Sequence, residues 1–296
     1  MLNIIEALRS PSVAERFPTF RKFEIGDVLF ASFSCPSSGQ WEANWAEHDR
    51  IVHVLSGSKL LRAVGGTWEV GPGDTIFLKK GACFLRQRGA DDICLFMFFI
   101  PDGFVRAAVR EIAPDLPALP PPAAHRDMLI HVNDDAGVKA FLQAMTVFFS
   151  APGTPPELLL KLKLKELIAS IVVSASNSTL SGYLRSVAST NVPSIPAIME
   201  ANCCHNLPIE AFAKLSGRSL SSFKREFRQH YGISPGKWLL ERRLECSAHL
   251  LTTTSISVTE IVFECGFEQL SHFSRAFKAK FGQTPSEYRE ACAAAA

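Results

Sequence analysis

The chain is 296 residues long, enough for two domains that each bury a core. It is 47% hydrophobic and 20% charged, with 18 Gly and 18 Pro, which excludes wholesale disorder, a collagen-like repeat and a coiled-coil rod. Its 31 basic and 29 acidic residues leave a formal net charge of +2, so contact with nucleic acid must come from local placement of charge rather than from a basic tail.

The first residues carry Glu6, Arg9, Glu15 and Arg16 and lack the apolar run of an export signal. The strongest apolar run, Ile93 to Ile100, is eight residues long, against the roughly 20 that a membrane helix needs. Eight cysteines at positions 35, 83, 94, 203, 204, 246, 265 and 292 are irregularly spaced and read as reduced thiols, mostly buried. These features predict a soluble cytoplasmic protein without membrane association.

Residues 20–112 read as β-structure. Short apolar runs at 28–33, 51–55, 75–78 and 93–100 are separated by turn signals at Ser56-Gly57, Gly65-Gly66, Gly71-Pro72-Gly73-Asp74 and Lys80-Gly81. That spacing predicts a small sandwich or barrel, closed by the Pro-rich stretch Pro114 to Pro122. From about 134 to 190 the period becomes helical. Val138, Phe141, Leu142, Met145, Val147, Phe148 and Phe149 form one broad apolar face. After a break at residues 151–156, Leu158, Leu159, Leu162, Leu167, Ile168 and Ile171 form a second stripe, with Lys161, Lys163, Lys165 and Glu166 interleaved. A short helix is expected around 180–187, and residues 192–196 read as the linker to the last piece.

That last piece, about 197–290, is helical and internally repeated. Phe223, Arg225, Phe227, Gly232, Pro235 and Trp238 recur as Phe273, Arg275, Phe277, Gly282, Pro285 and Tyr288, every offset being 50 residues. Six matches in one register imply two copies of one supersecondary unit. In the first copy residues 209–216 form a short helix, Gly217 supplies a left-handed turn and Ser219 caps the next helix. Ala213, four residues before Gly217, lets the two helices cross closely, and Val262 takes that position in the second copy before Gly266. The second helix of each copy has a core-facing stripe: Leu220, Phe223, Phe227 and Tyr231, then Leu270, Phe273, Phe277 and Phe281. Ser221, Lys224, Arg225 and Arg228 are left for the outside of one, and Ser271, His272, Ser274, Arg275 and Lys278 for the other. Short polar residues with a guanidinium, on a helix braced by aromatics, suit major-groove readout, because Arg bonds guanine bidentately while Ser and Lys reach bases or phosphates. The bland alternative is the solvated face of a helical bundle, which leaves the duplication unexplained.

On these residues the last hundred positions resemble the AraC/XylS transcriptional regulators. The resemblance runs through Ala213 and Gly217, Phe223-Lys224-Arg225-x-Phe227, Tyr231-Gly232-Ile233-Ser234-Pro235, Trp238 and Arg242-Arg243-Leu244. It continues through Gly266-Phe267-Glu268, Phe273-Ser274-Arg275-x-Phe277-Lys278 and Phe281-Gly282-x-Thr284-Pro285 to Tyr288-Arg289. It implies a long joining helix over Pro235 to Leu251, and recognition residues at Ser221, Lys224, Arg225, Leu270, Ser271, His272, Ser274 and Arg275. Leu270 stands where relatives often place a polar contact. The resemblance also implies promoter double-stranded DNA and RNA polymerase as partners, activation of transcription, and a homodimer built on a helix at Leu158, Leu162, Leu167 and Ile171. The competing reading of that stripe is packing on its own barrel.

Residues 20–112, with His53-Val54-Leu55-Ser56-Gly57 and Val70-Gly71-Pro72-Gly73-Asp74, resemble the cupin-like barrel of such regulators. The expected fold is therefore α+β: an N-terminal cupin-like β-barrel plus helices, and a C-terminal all-α domain with two helix-turn-helix units. The expected divisions are 1–130, 131–190 and 191–296, with the units at about 207–231 and 257–281. The effector is a small molecule in the barrel or, as in the type III secretion activators that the order of pieces also resembles, a regulatory protein. The alternative is a cupin-type metal-dependent enzyme. His48 and His53 are five apart, and no histidine follows the Pro72-Gly73 turn before His125, so the ligand set is incomplete and neither catalysis, metal nor cofactor is expected. Cys203-Cys204-His205 is read as a helix end without metal. Glu241-Arg242-Arg243-Leu244-Glu245 is read as helix-surface pairing with one Arg near a phosphate.

Overall fold

The computed structural model describes residues 1–13, 17, 19–35, 39–63, 65–88, 92–112, 127–189 and 193–294. Pro114 to Pro122, His125 and Val192 lie outside the described residues. The chain divides into two compact units, Leu2–Asn191 and Val192–Ala296. No helix among the described residues is long and apolar enough to cross a membrane.

The first unit holds two sheets. One is ordered β1 (Leu2–Asn3), β4 (Trp41–Ala46), β9 (Gly81–Arg88), β6 (Ser58–Ala63), β7 (Gly66–Val70). The other is ordered β11 (Leu129–His131), β8 (Thr75–Leu78), β5 (Asp49–Ser56), β10 (Ile93–Ile100), β3 (Val28–Cys35), β2 (Arg21–Ile25). All pairs are antiparallel except β1 with β4. Strands with a period of two send alternate residues to opposite faces, and in the six-stranded sheet both faces are buried. On β10, Ile93, Leu95, Met97 and Phe99 enter the core between the sheets, while Phe96, Phe98 and Ile100 enter a second core on the other side. The short α1 (Ile4–Arg9) adds Ile5 and Leu8 to the first core, and four helices supply the second: α2 (Asp102–Ile112), α3 (Ala136–Ser150), α4 (Glu157–Val173) and α5 (Ser178–Ser189). Phe149 stacks on Phe23 and Phe96, with centroids 4.8 and 5.1 Å apart, and Phe141 meets Phe98 edge-on at 5.0 Å.

Three expectations are corrected here. Residues 102–112, read with the β-structure, are helical, because Val105, Ala108 and Val109 bury at helical spacing. Val147 faces away from the core that takes Phe141, Met145 and Phe149. Of the expected dimer stripe, Leu167 and Ile171 are buried against the six-stranded sheet's helical core, together with Leu160, Leu164 and Ile168. Leu158 and Leu162 remain 66% and 51% exposed, with Leu159 between them. The helix is apolar on two faces, and one face is used within the chain.

One buried carboxylate ties the helical layer to the sheet. Asp49, fully buried at the start of β5, accepts hydrogen bonds from the Tyr183 hydroxyl of α5 (2.9 and 3.1 Å) and from the Lys80 amide (2.7 Å). Lys80 in turn pairs with Asp102 at the start of α2 at 2.5 Å.

The second unit is all helical: α6 (Ile195–Asn202), α7 (Ile209–Leu215), α8 (Leu220–Tyr231), α9 (Pro235–Thr253), α10 (Val258–Glu264), α11 (Leu270–Phe281) and α12 (Pro285–Ala294). Ser219 and Ser234 cap α8 and α9, each accepting from an amide three residues on at 3.3 Å. Ser257 and Glu260 form a capping box at α10. Both α8 and α11 end on a left-handed glycine, Gly232 (φ 72°) and Gly282 (φ 79°). The α9 helix runs from one helix-turn-helix unit to the other, burying Trp238 and Leu239 near its start and Leu244, Ala248 and Leu251 further along.

Burial holds the Asp49 carboxyl above its usual range, because desolvation penalises the charged form more than its bonds repay. Its contribution to stability is therefore complete below the unfolded carboxylate value, about pH 4, and is lost as pH rises through the folded one. Asp49→Asn keeps an oxygen for Tyr183 and Lys80 and removes the titration. Urea midpoints of the two proteins at pH 4 and pH 7 should show the difference moving in the variant's favour at the higher pH. A difference that moves the other way contradicts this account of the buried carboxylate.

Candidate nucleic-acid interface

The duplication seen at an offset of 50 residues is also a duplication of geometry. Phe223 and Phe227 are fully buried on α8, and Phe273 and Phe277 on α11. Phe227 meets Trp238 edge-on at 6.1 Å and 81°, and Phe277 meets Tyr288 at 5.4 Å and 82°. Tyr231–Trp238 and Phe281–Tyr288 each pack at 5.4 Å and 51°. Each head is thus a helix locked by the same aromatic brace, which fixes the rotation of α8 and α11 about their own axes.

That rotation determines which side chains face out. Ser221, Lys224, Arg225 and Arg228 are exposed on α8, and Leu270, Ser271, His272, Arg275 and Lys278 on α11, while Ser274 is half-buried. Four positions depart from the expected core stripes. Leu220, Tyr231 and Phe281 are half-buried and Leu270 is 45% exposed, because each stands at an end of its helix, beyond the turns that Phe223, Phe227, Phe273 and Phe277 fill. Leu270 therefore stands on the outward surface with the polar set. The Arg225 guanidinium is held near its own helix by a bond to Ser222 Oγ (3.1 Å), and Arg275 Nε donates to the Ser271 carbonyl at 3.3 Å.

Other cations are taken by the fold. Arg218 donates to Glu226 (2.8 Å) and to the Pro193 and Ser216 carbonyls (both 2.8 Å). Arg242 pairs with Glu200 (2.8 Å) and Glu245 (2.9 Å). Arg243 donates to the carbonyls of Cys203 (2.8 Å), His205 (2.8 Å) and Gly266 (3.0 Å). The reading of Arg242 or Arg243 as a phosphate contact is corrected accordingly: an arginine spent on three carbonyls or two carboxylates serves the fold. What remains on α8 and α11 is basic and polar, since Glu226 is held by Arg218 and α11 carries no acidic residue.

His53 Nδ1 lies 3.0 Å from Thr75 Oγ1, which donates to Asp134 at 2.8 Å. Burial lowers the pKa of both His48 and His53. Among the described residues, the group of His, Cys, Asp or Glu side chains close enough to share an ion is Cys203, Cys204 and Cys246. The sequence reading missed Cys246, which lies 42 positions from Cys204 and is brought to it only by packing of α9.

Between the two sheets lies a cavity of about 560 Å³, lined by apolar residues such as Ile4, Leu61, Val54 and Leu95. Arg50, Lys59 and Glu42 also reach it. Arg50 is 1% exposed; its Nη2 donates to Cys83 Sγ (3.2 Å), while its Nη1 has no hydrogen-bond partner among the described residues.

Residues 212–291 match a helix-turn-helix domain family, and residues 49–183 match the ExsA N-terminal regulatory domain family. The chain is 26% identical over 250 residues to the HTH-type transcriptional regulator ExsA of Pseudomonas aeruginosa, covering 82% of this chain and 87% of that one. It is 24% identical over 241 residues to the virulence regulon transcriptional activator VirF of Yersinia enterocolitica, covering 81% and 89%. An apo ToxT structure from Vibrio cholerae aligns at 16% identity and TM-score 0.45, covering 91% of this chain and 98% of that one. With two heads of one geometry and a matching regulatory half, the chain is a DNA-binding transcriptional regulator similar to those of the AraC/XylS family.

Proposed function

We propose that this regulator is a cytoplasmic activator, without catalytic activity, which reads promoter DNA with α8 and α11 and contacts RNA polymerase from the bound site. The observation that carries the reading is the pair of identically braced helices whose outward faces hold Ser221, Lys224, Arg225 and Arg228 in one case and Ser271, His272, Ser274, Arg275 and Lys278 in the other. Two such helices reading successive major-groove segments need a site about one turn, roughly 34 Å, between centres. Arg225→Ala and Arg275→Ala should each cost about 1–3 kcal/mol of binding and relax preference at one base position. Lys278→Ala should weaken binding to all sequences alike and lower the salt slope by about one. Selection from random duplexes followed by titration at several salt concentrations measures both. Absence of any sequence preference in the full chain defeats the reading.

The regulator acts as a homodimer in this proposal, and the exposed residues Leu158, Leu159 and Leu162 on α4 supply the shared surface. Leucines at this spacing on a helix whose other face is already buried leave apolar area in water that a second copy covers. Leu158→Asp with Leu162→Asp should abolish the dimer in sedimentation while leaving far-UV circular dichroism unchanged. Leu167→Asp should instead unfold the first unit. A parent protein that is monomeric at micromolar concentration, free and on DNA, sinks the interface.

Control by a small effector is supported by the inter-sheet cavity. Its volume is within the range of roughly 300–1,000 Å³ typical of ligand sites. A buried guanidinium with a spare N–H selects an anionic group, and the apolar walls select a hydrocarbon or aromatic body. The effector class is therefore an apolar monocarboxylate. A panel of aliphatic and aromatic monocarboxylates should raise the melting temperature of the parent, and Arg50→Gln should remove the response. If no member binds and DNA binding answers instead to a protein partner, control by a regulatory protein takes its place.

A further inference from the structure

Cys203 and Cys204 follow the end of α6, and Cys246 lies within α9. Their three Sγ atoms all fall within 4.8 Å of one another, with Cys203 and Cys204 3.8 Å apart. We propose that these three thiols form a binding site for a soft monovalent metal ion, Cu(I), held by three thiolates.

The distances fit the occupant. With a metal–sulfur bond of about 2.3 Å, an ion at the centre of a trigonal thiolate set places its sulfurs roughly 4.0 Å apart. Small rotations about the side-chain bonds bring the observed set to that spacing. The number of ligands fits as well. A structural zinc site takes four protein ligands, and among the described residues no fourth His, Cys, Asp or Glu joins the group. Soft thiolates favour Cu(I), for which three are sufficient.

The ligands are held in place by the fold rather than by chance proximity on a mobile loop. Arg243, three residues before Cys246 on the same helix, donates to the carbonyls of Cys203 and His205 at 2.8 Å. The turn carrying two ligands is thereby pinned against the helix carrying the third. From the other side, Gly266 (φ 77°) packs so closely that a Cβ there would lie 2.9 Å from the Cys204 carbonyl oxygen. Cys203 is buried, and Cys204 and Cys246 are half-buried, so an incoming ion or a carrier reaches the site without unfolding it. Binding exchanges the thiol protons for the ion and leaves its oxidation state unchanged. The bound ion cross-links the α6–α7 turn to α9, the helix on which both reading heads are mounted.

The test uses the full chain, reduced and free of oxygen, competing with a chromophoric Cu(I) chelator. The expected result is one Cu(I) withdrawn per chain, with thiolate-to-copper absorption in the near ultraviolet. Cys204→Ser and Cys246→Ser should each weaken binding at least tenfold, while Cys94→Ser and Cys292→Ser leave it unchanged. Far-UV circular dichroism and duplex binding confirm that each variant is folded, and Cys246→Ala serves if Cys246→Ser is not. The same titration with Zn²⁺ against a zinc-binding dye should give weaker retention than Cu(I). The proposal is overturned if copper uptake is the same in the variant lacking all three thiols. It is equally overturned if zinc is held more tightly than copper, or if the reduced protein takes no metal and air converts two of these cysteines to a disulfide.

Discussion

The DNA-binding unit depends on one guanidinium. Arg243 projects from the joining helix α9 and satisfies three backbone carbonyls, two in the turn after α6 and one at Gly266 in the turn of the second head. Backbone carbonyls in such turns have no helical partner and must be paired or solvated. The fixed fork of arginine serves three at once, which the point charge of lysine does with poorer geometry. Removing it leaves buried acceptors unmet, at about 1–3 kcal/mol each. The second head's turn can come this close to Cys204 only because residue 266 has no side chain and adopts a left-handed backbone. Arg243 and Gly266 together set where the second unit sits on α9.

Given that anchor, the two heads are made alike by aromatic packing. Trp238 and Tyr288 occupy the same position behind their reading helices, and the ring angles agree to within a degree. The two heads differ at the helix crossing and at the start of the reading helix. Val262 replaces Ala213 at the crossing of the two helices and is fully buried there, so the second unit accommodates the larger side chain. Leu270 sits where Leu220 does, but it is more exposed. In a groove it presents a methyl-rich surface, suited to contact with the thymine methyl group rather than to hydrogen bonding.

How much of this was legible in the sequence varied with the period of the pattern and the distance between partners. The duplicated heads were legible because Phe223, Phe227, Phe273 and Phe277 repeat at a fixed offset and at helical spacing. The β-structure was legible through its turns and through four apolar runs, which became β3, β5, β8 and β10. The run Ile93 to Ile100 does not alternate in polarity because β10 is buried on both faces. The α2 helix was hidden for a related reason, following directly on that run with only three buried positions. On α4 the sequence announces apolar residues all round but not which face meets the sheet, so Leu167 and Ile171 could not be told from Leu158 and Leu162. Cys246 and the anchoring role of Arg243 had no local signal: their partners lie 23 to 43 residues away, across contacts that exist only in the folded unit.

The small net charge is compatible with a DNA-reading surface because of how the acids are distributed. Glu226 is held by Arg218, Glu200 by Arg242, and Glu245 by both Arg242 and Lys280. These exposed or half-exposed pairs contribute little to stability, typically under about 1 kcal/mol each. Their larger effect is on the surface potential, because each neutralises a carboxylate that would otherwise repel phosphate within a Debye length, about 8–10 Å. The outward faces of α8 and α11 thereby stay cationic in a chain whose total charge is +2. A protein organised this way has a weak field at long range and a strong one at contact. Its non-specific attraction to DNA is modest, and discrimination falls to the few side chains that reach base edges. That balance suits a regulator that must leave most of the genome unoccupied, and it follows from the pairing of acids inside the unit rather than from any excess of basic residues.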